Sequence, residues 1–254
     1  MVYFNSDKHL YTSDTGDNYI SVTTLLKKLE QPRDWDAIAT KYAKKHGETA
    51  QYWRDLWKAK GDISAERGTA VHSIFENKFY TEPQEYNVYQ HEETVNSKSS
   101  MSLKDLKEGI YPELLIYSHR FKIAGQSDLV KIYPDKTFEI EDYKTDKVIN
   151  FGATKYYNAK KKMSVKSMYC YPVTHLDECN WNKYQLQLSI YAYLLEQFGF
   201  KCKSLQINHV IAERDDNGII ELDETGIPKI IEVQKHKCAY LKKEAEQILK
   251  TLTY

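Results

Sequence analysis

Cysteine is scarce in this sequence, and none of its four copies lies in a Cys-X-X-Cys pair. Zinc ribbons are built from such pairs, so the spacing argues against one. We interpret the cysteines as reduced, mostly structural thiols of a cytoplasmic protein. His175 and Cys179 lie four residues apart, but two ligands alone do not make a metal site.

Long apolar stretches are also missing. No apolar run is long enough to span a bilayer, and the N-terminal residues lack the basic and apolar regions of a signal peptide. With 254 residues, 41% of them hydrophobic, the chain is long enough for one large soluble domain or a core with an added helical subdomain. We therefore expect a cytoplasmic protein with no membrane partner.

The sequence carries no net charge, because 36 basic residues balance 36 acidic ones. For nucleic-acid binding, the distribution of charge matters more than its sum. Not one acidic residue lies between Lys147 and Leu176, a segment with interleaved tyrosines. Its lysines are Lys147, Lys155, Lys160, Lys161, Lys162 and Lys166. Two interpretations remain open, a loop that is only solvated and a surface that binds phosphates.

The first residues fit a short strand or hairpin at 1–12, followed by a segment at 19–26 that leads into a helix. Ser21 or Thr23 is the predicted N-cap of that helix. A helix N-terminus can also receive a phosphate, but capping alone explains both hydroxyls.

Residues 34–60 are predicted to form two helices that break near Gly47. Their aromatic residues are Trp35, Tyr42, Tyr52, Trp53 and Trp57. Aromatic residues at such spacing usually belong to a core, and the alternative is a platform on which single-stranded bases stack. A further helix is predicted at 66–79, and the polar stretch 82–110 is predicted to be a loop.

A meander of three strands is predicted at 113–123, 128–133 and 137–144. Gly125 is expected to form the turn between the first two strands. The meander brings Asp128 close to Asp142.

The third strand projects charge from an apolar face. A strand alternates its side chains between two faces, which places Asp142 and Lys144 on the side of Phe138 and Ile140, whereas Glu141 points away. Burying charge there is costly unless a metal or a partner compensates it. Mg²⁺ is held by one or two carboxylates plus phosphate oxygens and waters. The pattern predicts a magnesium site at Asp142, and a surface Asp–Lys pair remains the alternative.

The C-terminal part is predicted to contain an amphipathic helix at 182–198, a strand from Leu205 to Ala212, a turn at 215–218, a strand at 229–233 and a helix at 236–251. Gln187 and Tyr191 lie one turn apart on the same face of the first helix. Their polar ends interrupt its apolar stripe, either to hydrogen-bond the core or to contact a ligand.

Five motifs follow one another along the chain: Gly68-Thr69-X-X-His72, Glu113, Gly125-X-X-Asp128, Asp142-X-Lys144 and Gln187-X-X-X-Tyr191. In this order they resemble the motifs of the PD-(D/E)XK nucleases, in particular the branch that contains RecB-type nuclease domains and related phage exonucleases. The resemblance covers about residues 68–195, half of the chain.

The resemblance implies an α/β fold with a restriction-endonuclease-like core, in which helices flank a central mixed β-sheet, and an added N-terminal helical region. We expect residues 1–62 to form a strand and helical region that caps a DNA channel. Residues 63–254 would form the nuclease core, with a basic insertion at 147–182.

The resemblance also implies roles for single residues. Asp128, Asp142 and the Tyr143 carbonyl would hold the metal, with His72 as a further ligand that widens tolerance to Mn²⁺. Lys144 would orient or activate the attacking water and stabilise the transition state. Glu113 would be a second-shell residue or the ligand of a second metal. The expected DNA contacts are Gln187, Tyr191, Lys160, Lys161, Lys162, Ser21 and Thr23.

The function expected from these features is a Mg²⁺- or Mn²⁺-dependent deoxyribonuclease, an exonuclease that acts on single- or double-stranded DNA ends in phage replication, recombination or repair. Its location would be the host cytoplasm if the protein is of phage origin. The cysteine spacing departs from that of relatives with an iron–sulfur cluster, so none is expected. The alternatives are an inactive nucleic-acid-binding module of the same fold and a protein–protein adaptor.

Overall fold

The computed structural model describes residues 1–94, 97–153, 155–158 and 162–252. The strands are β1 (Val2–Asn5), β2 (Leu10–Ser13), β3 (Asn18–Ser21), β4 (Glu93–Thr94), β5 (Ser97–Ser99), β6 (Gly109–Ser118), β7 (Ile123–Ile132), β8 (Thr137–Lys144), β9 (Lys155–Asn158), β10 (Met163–Lys166), β11 (Lys201–Ala212) and β12 (Ile230–Cys238). The helices are α1 (Val22–Lys27), α2 (Trp35–His46), α3 (Ala50–Thr81), α4 (Asn180–Glu196) and α5 (Lys242–Lys250).

Ten of these strands form one mixed sheet with the order β12-β11-β8-β7-β3-β2-β1-β5-β4, and β6 pairs beside β7. The pairs β8–β11 and β3–β7 are parallel, and the other pairs are antiparallel. The chain crosses from β8 to β11 through α4, as parallel neighbours require. The predicted α/β class, with helices flanking a central mixed sheet, is confirmed.

The predicted meander is confirmed as β6, β7 and β8, and β8 has the predicted bounds. The prediction of a turn at Gly125 was wrong, because β7 runs through that residue and the turn lies at 119–122. A Cβ built on Gly125 would lie 2.5 Å from the Tyr191 hydroxyl oxygen. This glycine therefore marks a close approach of a side chain to the strand and not a change of direction.

Helix α4 lies at the centre of the core, against β11, α1 and α5. Its residues 184–192 are all buried, so the predicted amphipathic pattern was wrong: neighbours cover the helix on every side. None of the helices in the described part of the chain has the length and apolar character needed to cross a membrane.

The break predicted near Gly47 is confirmed, since this residue ends α2 with a left-handed φ of 82°. Asp34 caps the N-terminus of α2 and Thr49 that of α3. The separate helix predicted at 66–79 is instead the second half of α3, which continues through Gly61. The expected division after residue 62 therefore falls within a helix, and β1–β3 belong to the same sheet as β8.

Two segments differ from the prediction through pairing between distant strands. The helix predicted at 236–251 begins only at Lys242, because residues up to Cys238 pair with β11. The predicted loop at 82–110 contains β5, which pairs with β1. In both cases a non-local partner determines the structure of a polar segment.

Candidate metal centre

The candidate site lies where the sheet divides beside β7. On one edge of β7, Ala124 pairs with β3 and Leu129 pairs with β8, whereas residues 125–128 pair with neither strand. The backbone N–H of Tyr143 donates a hydrogen bond of 2.6 Å to Oδ2 of Asp128. This bond replaces a sheet pair at the point of division and fixes the Asp128 carboxylate.

Three side chains converge at this point. His72 lies on α3, Glu113 on β6 and Asp128 on β7, and one potential ligand atom from each lies within 4.8 Å of the other two. The His72 Nδ1 atom is 3.2 Å from Oδ2 of Asp128. An imidazole and two carboxylates form a donor set suited to a divalent cation such as Mg²⁺ or Mn²⁺.

Glu113 adopts an unusual backbone conformation. Its φ is 52°, a left-handed value that is uncommon for a residue other than glycine. It lies opposite Asp128, between the regular pairs Pro112–Leu129 and Leu114–Ser127 of the β6–β7 ladder. Such strain persists only where the surrounding structure imposes it, and it concentrates at functional sites.

Asp142 and Lys144 form a second buried group beside the first. Asp142 is only 1% exposed, and the Lys144 Nζ atom lies 2.5 Å from its Oδ2. Gln187 donates a hydrogen bond of 3.4 Å from Nε2 to the other oxygen, Oδ1. Asp142 does not belong to the group of His72, Glu113 and Asp128 defined above, so in this structure its partners are a lysine and a glutamine.

Two of the buried acids, Glu113 and Asp142, have raised pKa values. Burial raises the pKa of Glu113 to about 8, and the charges of Asp128 and Glu76 add to the effect. Burial and the charge of Asp128 raise the pKa of Asp142 to about 6, although Lys144 acts in the opposite direction. The local cations therefore do not fully compensate the carboxylates.

Asp128 stays ionised more easily. Burial alone would raise its pKa, but the charge of His72 and the hydrogen bonds from His72 and Tyr143 outweigh it and leave the pKa below its usual value. Burial would likewise lower the pKa of His72 and Lys144, yet the carboxylates raise both. His72 and Asp128 thus form a close pair in which each favours the charged form of the other.

Two motif glycines permit close packing around these groups. A Cβ on Gly68 would lie 3.3 Å from Oγ1 of Thr145, so α3 passes close to the segment that follows Lys144. Gly125 admits the Tyr191 ring, which is 1% exposed. The first and last helical motifs therefore pack against the strands that carry the acids.

A cleft of about 710 Å³ opens above the acids, and its lining includes Ser21, Thr23, Gln187 and Tyr191. Ser21 is the N-cap of α1, where its Oγ accepts a hydrogen bond of 3.0 Å from the Thr24 N–H, so the capping role is confirmed. The DNA contacts expected of these four residues remain predictions.

Of the three lysines expected to contact phosphates, the structure describes only Lys162. Lys160 and Lys161 fall outside the described residues, and Lys162 is exposed beside the β9–β10 hairpin, a separate two-stranded sheet. The role of these three lysines remains a prediction.

Sequence reasoning missed several residues around the site. Lys98 of β5 lines the cleft with Glu113, and its polar surroundings had indicated only a loop. Arg214 donates hydrogen bonds to the carbonyls of Thr145 and Gly218 and lines a neighbouring cavity of about 340 Å³ together with Lys147. No local pattern of residues could have placed Lys98 in the cleft with Glu113 or Arg214 beside the end of β8.

No protein-family model matches this chain, and no curated protein matches it at a significant level. The geometry of the cleft is therefore the basis for a functional assignment.

Proposed function

We propose that this protein is a metal-dependent nuclease that hydrolyses phosphodiester bonds at DNA ends, with a restriction-endonuclease-like core of the PD-(D/E)XK type. One observation carries the proposal. Residues as far apart in the sequence as His72 and Gln187 line one cleft together with Glu113 and Asp128. Gln187 also hydrogen-bonds Asp142 of the buried Asp142–Lys144 pair. A protein–protein adaptor would have no need for this convergence of buried charge.

The residues present fit a divalent cation. Oδ2 of Asp142 is buried without a well-oriented hydrogen bond, although Lys144 Nζ lies 2.5 Å from it. Burial, with a contribution from the charge of Asp128, raises the pKa of both Glu113 and Asp142. His72, Glu113 and Asp128 would hold the ion, and Asp142 and the Tyr143 carbonyl complete the expected set. When bound, Mg²⁺ or Mn²⁺ would polarise the scissile phosphate and lower the pKa of a water.

Lys144 supplies positive charge beside the acids. Burial would lower its pKa, but Asp142 and Asp128 raise it above the usual value, so the ammonium keeps its proton at neutral pH. A protonated lysine cannot act as a general base, and its role is to hold the attacking water and stabilise the negative charge that develops on the phosphate.

Gln187 has a positioning role in this scheme. Its hydrogen bond to Asp142 Oδ1 fixes the carboxylate that Lys144 contacts on the other side. The amide donates without adding charge, so it orients Asp142 and leaves the electrostatic balance of the cleft unchanged.

The proposal is tested by incubating the purified protein with end-labelled linear and circular DNA in Mg²⁺ or Mn²⁺. We expect degradation of linear DNA that a chelator and Asp142→Asn both abolish. Glu141→Gln is the matched control, because Glu141 points to the other face of β8 and accepts a hydrogen bond of 2.6 Å from Asn208.

Other outcomes identify the alternatives. DNA binding without cleavage in either metal would indicate an inactive binding module, and failure to bind both metal and DNA would favour an adaptor. Equal loss of activity in Glu141→Gln and Asp142→Asn would indicate a general effect on folding, and it would remove the support that Asp142→Asn gives.

A further inference from the structure

Helix α2 and the first half of α3 form a helical hairpin, here called the aromatic hairpin (residues 34–60). Its rings contact one another: the Tyr42 ring centroid lies 5.4 Å from that of Trp53 and 5.2 Å from that of Trp57, and Trp35 lies 6.3 Å from Trp57. His46 and Tyr52 extend the cluster at 5.3 and 5.5 Å from Trp53.

These rings do not belong to the core. Trp35 is 56% exposed, Tyr42 43% and Tyr52 46%, and the only buried residue of α2 is Ala39. Amphipathic surface helices normally bury their apolar stripe against the body of the protein. The aromatic hairpin instead presents Trp35, Tyr42 and Tyr52 to solvent, whereas Trp53 and Trp57 are half-buried. The expectation that the rings form core was therefore wrong for these first three.

The charge around the rings is positive. The excess is small, since the aromatic hairpin has six basic residues against the four acids Asp34, Asp36, Glu48 and Asp55. It concentrates at Lys41, Lys44 and Lys45, which are next to Tyr42 and His46 in the sequence. The ion pairs of the described residues do not include these three lysines. Interleaved cations and exposed rings are the combination with which proteins bind single-stranded nucleic acid, since the bases stack and the backbone is neutralised.

Helix α3 connects the aromatic hairpin to the metal centre without interruption. His72 follows Trp57 by fifteen residues, a distance of roughly 22 Å along an α-helix. The cleft lining follows the same helix through Ser64, Gly68 and Thr69. At about 3.4 Å for each nucleotide of one strand, this path accommodates roughly six or seven nucleotides.

We propose that the aromatic hairpin stacks unpaired bases of a DNA strand whose end lies in the cleft at His72 and Asp128. The identity of the ligand rests on the proposed nuclease function. The surface makes single-stranded DNA, or a single-stranded overhang, the preferred substrate, because rings can stack only on bases that are not already stacked and paired in a duplex.

Tryptophan fluorescence tests the proposal, because three of the four tryptophans lie on the aromatic hairpin and only Trp181 lies elsewhere. The chelated protein is titrated with oligothymidylate of about fifteen nucleotides, a length within the range of known single-strand sites, and with a blunt duplex of equal length. We expect strong quenching by the single strand and weak quenching by the duplex. Equal quenching by both would overturn the proposal.

Substitutions locate the contact. The variant with Tyr42→Ala and Tyr52→Ala is expected to bind the oligonucleotide about tenfold or more weakly, whereas Tyr42→Phe with Tyr52→Phe retains the affinity because the rings stack and the hydroxyls do not. Phe198→Ala, at a residue 38% exposed beyond the end of α4, is the matched control. A dinucleotide is too short to span the distance of roughly 22 Å between Trp57 and His72, so its cleavage should not respond to the alanine substitutions.

The outcomes separate this proposal from the nuclease proposal. Cleavage of single strands with unchanged affinity in the alanine variant would overturn the stacking role and leave the nuclease intact. Quenching that depends on Tyr42 and Tyr52, without cleavage in any metal, would support the stacking role and overturn the nuclease. A dimer that dissociates in the alanine variant, with no oligonucleotide bound, would make the aromatic hairpin a protein interface and overturn the stacking role.

Discussion

At the residue scale, the neighbouring acids Glu141 and Asp142 of β8 have different surroundings and different expected roles. Asp142 is buried on one face, where Lys144 and Gln187 contact it. Glu141 points to the other face and accepts hydrogen bonds from Asn208 and Gln206 of β11. The alternation of a strand therefore assigns opposite environments to two adjacent carboxylates.

Loss of the Lys144 charge should affect turnover more than binding. We expect Lys144→Ala to lower the rate of DNA cleavage on the order of 100- to 1,000-fold, by analogy with a missing transition-state donor, with little change in DNA affinity. Asp128→Ala and Asp142→Ala should abolish cleavage while leaving the circular dichroism spectrum unchanged. A near-normal rate in Lys144→Ala would exclude this lysine and direct attention to Lys147, which lines the adjoining cavity.

Metal affinity should depend on pH through Glu113. Its pKa in the folded chain is about 8, above the ordinary 4.5, so the metal-free folded protein holds this proton between those values and loses it as the pH rises through 8. The same shift makes folding stability fall over that window, because the unfolded chain releases the proton earlier.

A cation must displace the Glu113 proton below pH 8, so Mg²⁺ affinity should increase as the pH rises from 6 to about 8 and then level off. Isothermal titration in buffers of different ionisation enthalpy would measure the protons released. Glu113→Gln should remove the release. Equal release in Glu113→Gln and the unchanged protein would assign the proton to another group, such as Asp142.

At the scale of the elements, glycines serve two different purposes. Gly125 gives the Tyr191 side chain access to β7, whereas Gly61 lies exposed within α3 with no atom within 4 Å of its Cβ position. Packing requires the first glycine, and nothing in the structure explains the second. Alanine should therefore have opposite effects at the two positions.

We expect Gly125→Ala to lower the free energy of unfolding by about 1–3 kcal/mol through overpacking, and Tyr191→Phe to recover part of that loss in the double variant. Gly61→Ala should raise the free energy of unfolding by up to about 1 kcal/mol. Urea denaturation of the unchanged protein and of these four variants, including Tyr191→Phe alone, measures both effects. Additive losses for Gly125→Ala and Tyr191→Phe would show that the two residues do not compete for space.

The sequence predicted those elements whose determinants are local. The alternation from Phe138 to Lys144 predicted β8, Gly47 predicted the end of α2, and Ser21 was among the predicted caps of α1. The prediction failed where the structure of a residue depends on a partner that is distant in the sequence. His236 lies in a strand because it pairs with Ile207, and Gln187 is buried because it faces β8, where it hydrogen-bonds Asp142.

The same distinction applies to the site. The resemblance implied a metal set of His72, Asp128, Asp142 and the Tyr143 carbonyl. His72 and Asp128 lie together with Glu113, whereas Asp142 lies outside that group, and the metal-binding role stays a prediction. The left-handed φ of Glu113 and the hydrogen bond from Arg214 to the Thr145 carbonyl could not be predicted, because each depends on how chain segments remote in sequence cross one another.

At the scale of the whole molecule, a neutral chain must concentrate positive charge to bind DNA. The acid-free segment 147–176 and the lysines of the aromatic hairpin are two separate basic regions. Both should contribute to affinity through counterion release, which makes binding weaken steeply as salt increases.

Substitution of Lys160, Lys161 and Lys162 by alanine should make the salt dependence of DNA binding shallower in the Asp142→Asn variant. The expected change is about 0.7–0.9 in the log–log slope for each phosphate that the variant no longer neutralises, with base preference unchanged. Filter binding at several salt concentrations measures this slope. An unchanged slope would mean that the segment is only solvated and that the aromatic hairpin binds the phosphates.

The continuity of α3 has a thermodynamic consequence. Its 32 residues form a rod of about 48 Å that carries a proposed base-binding surface at one end and His72 further along. If ordering one part of the rod favours the other, the two binding events are linked, and linkage is reciprocal. A metal that tightens oligonucleotide binding must then be bound more tightly, by the same factor, when the oligonucleotide is present. Calorimetric titration of the metal with and without oligonucleotide, and of the oligonucleotide with and without metal, should give the same factor. Gly61→Pro breaks the helix and should reduce this factor to one.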